Sequence, residues 1–270
     1  MSAPLPGAGT PVLFVHGLWL HATSWEPWVE LFRAEGYAPA NPGWPGFPGT
    51  VEDARANPEK LARVGVQEVT DHYAGMARGL ASPPIVIGHS FGGLVVQKLL
   101  GQGDAAAAVA IDAAAIKGVL ALPLSTVRSG FPALRNPFSV KGTVPLDQGQ
   151  FRYRFGNAVS EEESRDLHER WHIPAPGRPL WQGAFANLNP RSPLRVDTGN
   201  AERGPLLLTA GGRDHIIPPV ITRSTYKKYR DSPAVTDIHE FPDRGHSLAA
   251  DSGWRDVADH VLGWLRSHGL

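Results

Sequence analysis

The run Ile85-Val86-Ile87-Gly88-His89-Ser90-Phe91-Gly92-Gly93-Leu94-Val95-Val96 starts as an apolar strand, turns through Gly-His-Ser-Phe-Gly and continues as an apolar helix. A serine on a sharp strand-to-helix turn is pushed out of its sheet with the hydroxyl exposed. Gly88 and Gly92 flank it, since a side chain at either position would collide with the neighbouring strand or helix. The turn also sets Ser90 at a helix N-terminus, where unpaired N–H groups and the helix dipole favour developing negative charge. This context makes Ser90 a candidate nucleophile.

Strands and helices alternate on both sides of this turn. Residues 11–16 are an apolar run ending in His-Gly, as expected of a strand buried on both faces. Residues 24–35 follow as a helix with Ser24 as N-cap and Trp28, Leu31 and Phe32 on one face. Residues 37–41 form a short strand that enters an irregular Pro/Gly/Trp loop, residues 42–49. Residues 66–80 repeat Val66, Val69, Tyr73, Met76, Ala77 and Leu80 at helical spacing. The helix after Ser90 reaches Leu100 and stops at Gly101, and residues 107–111 form a strand ending at Asp112.

From about residue 117 to residue 200 the alternation lapses into prolines and scattered aromatics with one clear helix, residues 161–171. That helix opens with Ser160 and Glu163 at capping-box spacing. The rhythm returns with a strand at 205–210, a helix at 220–229, a strand at 235–241 and a helix at 254–266. The pattern predicts the α/β class, with a mostly parallel central sheet flanked by helices. A core of residues 1–118 and 200–270 is expected, interrupted by a mainly helical cap or lid at 119–199.

Composition narrows the function classes. The 270 residues are 42% apolar and 19% charged, as in a folded globular protein. The 30 Gly and 25 Pro imply many turns yet stay below the roughly 25–30% that signals disorder. Lys+Arg and Asp+Glu are both 26, so charge gives no case for a nucleic-acid partner and suits a small, weakly polar substrate. Cysteine is absent, which excludes disulfides, thiolate metal sites and a cysteine nucleophile. Residues 1–10 lack a basic stretch followed by an apolar run, unlike a signal peptide. Residues 105–124 are apolar but interrupted by Asp112, Lys117 and Pro123, too broken to span a bilayer. A cytoplasmic protein without a membrane partner is expected.

A serine hydroxyl needs a base to take its proton, and the base needs an orienting carboxylate. Asp214 lies just past the 205–210 strand in Gly211-Gly212-Arg213-Asp214. His246 lies just past the 235–241 strand in Arg244-Gly245-His246. In an open parallel sheet the loops beyond the carboxyl ends of the strands meet in one crevice, so Ser90, Asp214 and His246 are expected to converge. Asp112 is the rival acid, because it too follows a strand. Asp243 is too near His246 in sequence to orient it easily. Of the 11 His, His16 reads as a structural hydrogen-bonding residue, His89 fills the variable position of the turn, and His215 adjoins Asp214 too closely to share a hydrogen bond. The oxyanion that forms during acyl transfer needs donors. The N–H of Phe91 is one candidate; in His16-Gly17-Leu18-Trp19 the N–H of Leu18 is the other, with Trp19 next.

These segments together resemble the α/β-hydrolase superfamily, in its serine esterase and lipase branch. The likeness rests on Gly88-His89-Ser90-Phe91-Gly92, His16-Gly17-Leu18-Trp19, Gly211-Gly212-Arg213-Asp214 and Arg244-Gly245-His246. The chain order Ser, Asp, His is the one this architecture uses. The middle segment matches only in position, where the family often carries a helical cap. Asn41-Pro42-Gly43-Trp44-Pro45-Gly46 departs from the Asp-Gly-rich loop usual in relatives. The resemblance implies hydrolysis of an ester-like small molecule through an acyl-enzyme. The same residues would serve amide, thioester, lactone or carbon–carbon bond hydrolysis or perhydrolysis, and a non-catalytic ligand-binding protein on this fold is a further reading. Ser90 argues against the epoxide- and halide-directed branches, whose nucleophile is a carboxylate. No metal-ligand cluster or phosphate-cradling motif implies a metal or a nucleotide cofactor. Trp19, Trp44 and Trp181 are the pocket candidates among the aromatics, since binding pockets are mainly apolar.

Overall fold

A computed structural model describes residues 9–270, so the expectation for the opening residues falls, up to residue 8, outside the described residues. In chain order the elements are β1 (Pro11–Val15), α1 (Glu26–Ala34), β2 (Ala38–Ala40), α2 (Val51–Ala56), α3 (Val66–Arg78), β3 (Ile85–His89), α4 (Phe91–Gln102) and β4 (Ala107–Ile111). There follow α5 (Leu124–Leu134), β5 (Thr143–Val144), α6 (Gln148–Arg154), α7 (Glu161–Trp171), β6 (Ala175–Pro176) and α8 (Gly177–Ala184). The chain closes with β7 (Leu206–Gly211), α9 (Pro219–Tyr226), β8 (Thr236–Phe241) and α10 (Trp254–Ser267).

Six strands form one sheet in the order β2-β1-β3-β4-β7-β8, with parallel pairing throughout. Val12 and Phe14 of β1 and Ile85 and Ile87 of β3 face one layer, which contains Trp28 and Phe32 of α1 and Val257, Val261 and Leu265 of α10. Leu13, Val15 and Val86 face the other, with Val69 and Tyr73 of α3 and Leu94, Val95 and Leu99 of α4. Strands buried on both faces read as continuous apolar runs, which is why 11–15 and 85–87 carry no polar alternation. β1 pairs with β2 on one side and with β3 on the other, and the loops beyond those strands diverge into a crevice at such a switch point.

Several local expectations are corrected. Ser24 does not cap α1: residues Ala22–Trp25 form a 3-10 turn, and the His21 side chain accepts from the Thr23 N–H at its start. A short hydroxyl lost to an imidazole because the turn begins two residues earlier. The helix after Ser90 runs through Gly101 to Gln102 and is terminated by Gly103 at φ 81°. Gly101 is instead a close-approach site, where a Cβ would sit 2.8 Å from the Asp197 carbonyl oxygen.

The segment between β4 and β7 holds four helices, α5 to α8, of which only α7 was clear from the sequence, and the antiparallel ribbon β5–β6. α5 carries Gly130 and Pro132 and α8 carries Pro179 and Gly183, residues of poor helix propensity. Packing rather than propensity stabilises such helices. At α7 only half of the capping box forms: Ser160 accepts from the Glu163 N–H, while the Glu163 carboxylate accepts from the N–H of Ser252. No helix among the described residues is long and apolar enough to cross a membrane.

Candidate active site

Ser90 joins β3 to α4 with φ 58° and ψ −120°, a conformation that L-residues rarely adopt. Its N–H donates to the Ile111 carbonyl at 2.9 Å, and its carbonyl accepts from the Ala114 N–H at 2.9 Å, so both sides of the turn are tied to the end of β4. Gly92 allows α4 to start this close to the sheet, since a Cβ there would stand 2.0 Å from the Val15 carbonyl oxygen. Trp19 and Asp112 also have positive φ, at 68° and 43°. Backbone strain therefore gathers where the loops after β1, β3 and β4 meet.

Asp214 and His246 are brought together. His246 Nδ1–H donates to Asp214 Oδ2 at 2.6 Å, and both side chains are fully buried. The other Asp214 oxygen accepts from the N–H groups of Ile216, at 2.6 Å, and Ile217, at 2.9 Å. Burial alone would raise the Asp214 carboxyl; the charge and hydrogen bond of His246, with the Asp112 and Ile217 contacts, outweigh it and hold the group below its ordinary value. His246 Nε2 is buried and free of any partner among the described residues, so no hydrogen bond joins it to Ser90 Oγ. Catalytic hydrogen bonds are often long without substrate and tighten on binding.

Asp112 lies behind this pair. Its Oδ1 accepts from the Gly211 N–H at 2.7 Å, and its Oδ2 stands 3.9 Å from His246 Nδ1. Burial first and the Asp214 charge second push its carboxyl well above the ordinary range. One ligand atom each from Asp112, Asp214 and His246 lie within 4.8 Å of one another, a set that could hold a cation. The hydrogen bond between Nδ1–H and Asp214 requires a proton where a metal ion would bind.

The loop after β1 presses on the serine. A Cβ on Gly17 would stand 2.7 Å from Ser90 Cβ and 3.4 Å from Ser90 Oγ. The N–H groups of Leu18 and Phe91 have no acceptor among the described residues, although Leu18 is almost fully buried. His16 anchors the loop: its Nδ1–H donates to the Gly17 carbonyl at 2.8 Å, and its Nε2 accepts from the Trp44 N–H at 3.3 Å. Burial pushes the His16 imidazole down to about 3, so it is a neutral structural element.

Ser90 opens into a cavity of about 400 Å³. Trp19 and Phe91 stand near the serine, Ile116 and Val119 follow β4, and Phe131 and Leu180 come from α5 and α8. Trp19 is fixed by its indole N–H, which donates to the Val144 carbonyl in β5 at 2.8 Å. Trp44 and Trp181 are not on this wall, against expectation. Trp44 stacks on His16, with ring centroids 5.3 Å apart, and donates to the His16 carbonyl. Trp181 donates to Ser139 Oγ and stacks on Phe185. Hydrogen-bonding and stacking partners away from the cavity set the orientation of both indoles. The wall is mostly aliphatic, from residues 114–134 and 180–194, where alanines and leucines carried no signal that separates a pocket from a core.

Residues 12–260 match the profile described as the alpha/beta hydrolase family. Among curated proteins none matches the chain in sequence. Among solved structures, a monoacylglycerol lipase of Paleococcus ferrophilus is similar at TM-score 0.66 and 23% identity, covering 96% of each chain. A thermophilic esterase of Thermogutta terrifontis, with malate bound, is similar at TM-score 0.66 and 21% identity over 97% of this chain and 91% of the other. A methylesterase from Arabidopsis is similar at TM-score 0.64 and 15% identity over 95% and 99% of the two chains. At these identities the likeness is one of fold.

Proposed function

Because the chain belongs to the alpha/beta hydrolase family, we propose that it is a serine hydrolase that cleaves a carboxylic ester through an acyl-enzyme. The observation that carries this reading is the buried 2.6 Å contact between Asp214 and His246 at the strand-end crevice that also holds the strained Ser90. Ser90 Oγ attacks the ester carbonyl while His246 Nε2 takes the hydroxyl proton. Asp214 keeps the other proton on Nδ1, so Nε2 faces the reaction as a base, and stabilises the imidazolium that forms. The N–H groups of Leu18 and Phe91 hold the oxyanion. Collapse of the tetrahedral intermediate breaks the bond to the alcohol, which leaves with the proton from Nε2. Water then attacks the acyl-enzyme by the same steps in reverse and releases the acid.

The chemistries named for the similar structures, a lipase, an esterase and a methylesterase, favour an ester over the other bonds open to such a triad. Residues 119–199 act as the cap that roofs the substrate, consistent with the cavity wall drawn from α5 and α8. The test is Ser90→Ala assayed on p-nitrophenyl acetate and butyrate. Loss of a triad nucleophile lowers turnover by about 10⁴–10⁶. A variant with near wild-type turnover would overturn the proposal.

A further inference from the structure

The cavity that contains Ser90 has one charged side chain on its wall among the described residues, Arg154. This arginine, at the end of α6, is only 3% exposed. No carboxylate of the described residues lies within 4 Å of its guanidinium. Two N–H groups are engaged: Nε donates to the Ser129 carbonyl at 2.9 Å and Nη1 to the Gln150 carbonyl at 3.0 Å. A guanidinium carries five N–H donors, so two engaged leave three, and Nη2 has no acceptor among the described residues. The nearby charges are mixed. Asp147 raises its proton affinity and Arg128 lowers it, while burial is the largest influence and also lowers it.

A buried cation without a counter-ion is unfavourable unless something pairs with it. The two carbonyl contacts fix the guanidinium plane and leave Nη2 without a protein acceptor where Arg154 borders both this cavity and the groove lined by Asp147 and Tyr153. The remaining polar side chains on the wall are spoken for: Thr126 and Ser129 donate to the carbonyls of Ile216 and His215, and Asn187 pairs with Val119 and Gly118. We propose that Arg154 selects esters bearing a carboxylate: one end of the substrate presents the scissile ester to Ser90, and a carboxylate at the other end pairs with the free donors of Arg154 across an apolar spacer. Half-esters of aliphatic dicarboxylic acids are the simplest members of this class. A carboxylate suits the site because a planar guanidinium binds it through paired, charge-assisted hydrogen bonds. The rest of the cavity wall is mostly aliphatic, which suits an apolar spacer.

This inference rests on the ester-hydrolase reading, and its test separates the two. The first arm measures kcat/KM for monomethyl esters of a dicarboxylic acid series of increasing length, each beside the neutral methyl alkanoate of equal length. Wild type is expected to favour the carboxylate member at one spacer length by about 10- to 100-fold, the value of a charge-assisted hydrogen bond. In Arg154→Met the ratio of carboxylate to neutral ester falls to about one, and Arg154→Lys recovers part of it. Equal rates for the paired esters in wild type, or an equal fall for both in Arg154→Met, would overturn the inference. The second arm measures binding of the half-ester to Ser90→Ala by calorimetry, with and without Arg154→Met. It reads the carboxylate site without turnover: tighter binding of the half-ester than of the neutral ester, lost with Arg154, upholds the inference even if the ester reading fails. Indifference to Arg154 sinks it even if esters are cleaved.

Discussion

His89 and His246 are joined directly: the Nε2–H of His89 donates to the carbonyl oxygen of His246 at 2.8 Å, and the two rings lie 4.6 Å apart. The residue beside the nucleophile thus holds the loop that carries the base. Burial, and then the nearby His246, push His89 down to about 3, so it is neutral and available as a donor. His89→Leu keeps the volume but leaves a buried carbonyl unpaired, which costs about 1–3 kcal/mol. Its unfolding midpoint is expected to fall accordingly, and kcat to fall about tenfold with little change in KM, because the base is displaced rather than the binding wall. A rise in KM at constant kcat would contradict this role.

Asp112 and Asp214 are expected to separate cleanly. Asp214→Asn removes the acceptor at 2.6 Å from Nδ1 and favours the wrong tautomer, lowering kcat by about 10³–10⁴. Asp112→Asn keeps an oxygen for the Gly211 N–H, and kcat is expected to change by less than about tenfold. Stability separates them further. The Asp112 carboxyl is raised in the folded state, so its contribution is present below the unfolded carboxylate value and is lost as pH rises toward the folded one. Thermal melts are therefore expected to show Asp112→Asn gaining on wild type between pH 4 and pH 7. A constant difference across that range would count against a protonated Asp112.

Much of this was legible in the chain because it lies in apolar runs that end at chemistry. β3, β4 and β7 were readable since both their faces are buried, and Ser90 and Asp214 follow two of them, whereas His246 follows β8, a partly buried edge strand. The insertion was not, because α5 and α8 form against their own propensities. α6 could have been found: Asp147 and Gln150 stand at capping-box spacing, and both halves of the box form. Arg154 gave no signal at all, since nothing in the sequence distinguishes an arginine facing a cavity from one facing water.

Acid is expected to destabilise the fold through its buried histidines. His16, His89 and His172 are all held near 3, chiefly by burial. Below their ordinary value of 6.5 the unfolded chain binds protons that the folded chain refuses, so stability falls as pH drops from about 6.5 toward 3. Urea midpoints measured from pH 7.5 to 4.5 should decline steadily. His16→Asn should flatten the decline, at some loss of stability at neutral pH. An unchanged slope in that variant would contradict the assignment.

Gly17→Ala tests the oxyanion loop. The added Cβ would meet Ser90 Cβ at 2.7 Å and the His89 carbonyl oxygen at 2.8 Å, so the loop must retreat from the serine. Retreat carries the Leu18 N–H out of reach of the oxyanion, which lowers kcat by about 10²–10³. Circular dichroism is expected to report a folded protein, and the titre of serine accessible to an acylating probe should persist while turnover falls. Undiminished turnover would exclude Leu18 as a donor.

The most direct measurement is intact mass after treatment with a fluorophosphonate, followed by peptide mapping. The account predicts one stoichiometric adduct, carried by Ser90, and almost none in His246→Ala. A wild-type protein that stays unlabelled, or that is labelled at another residue, would contradict the claim that distant segments assemble here to activate the serine.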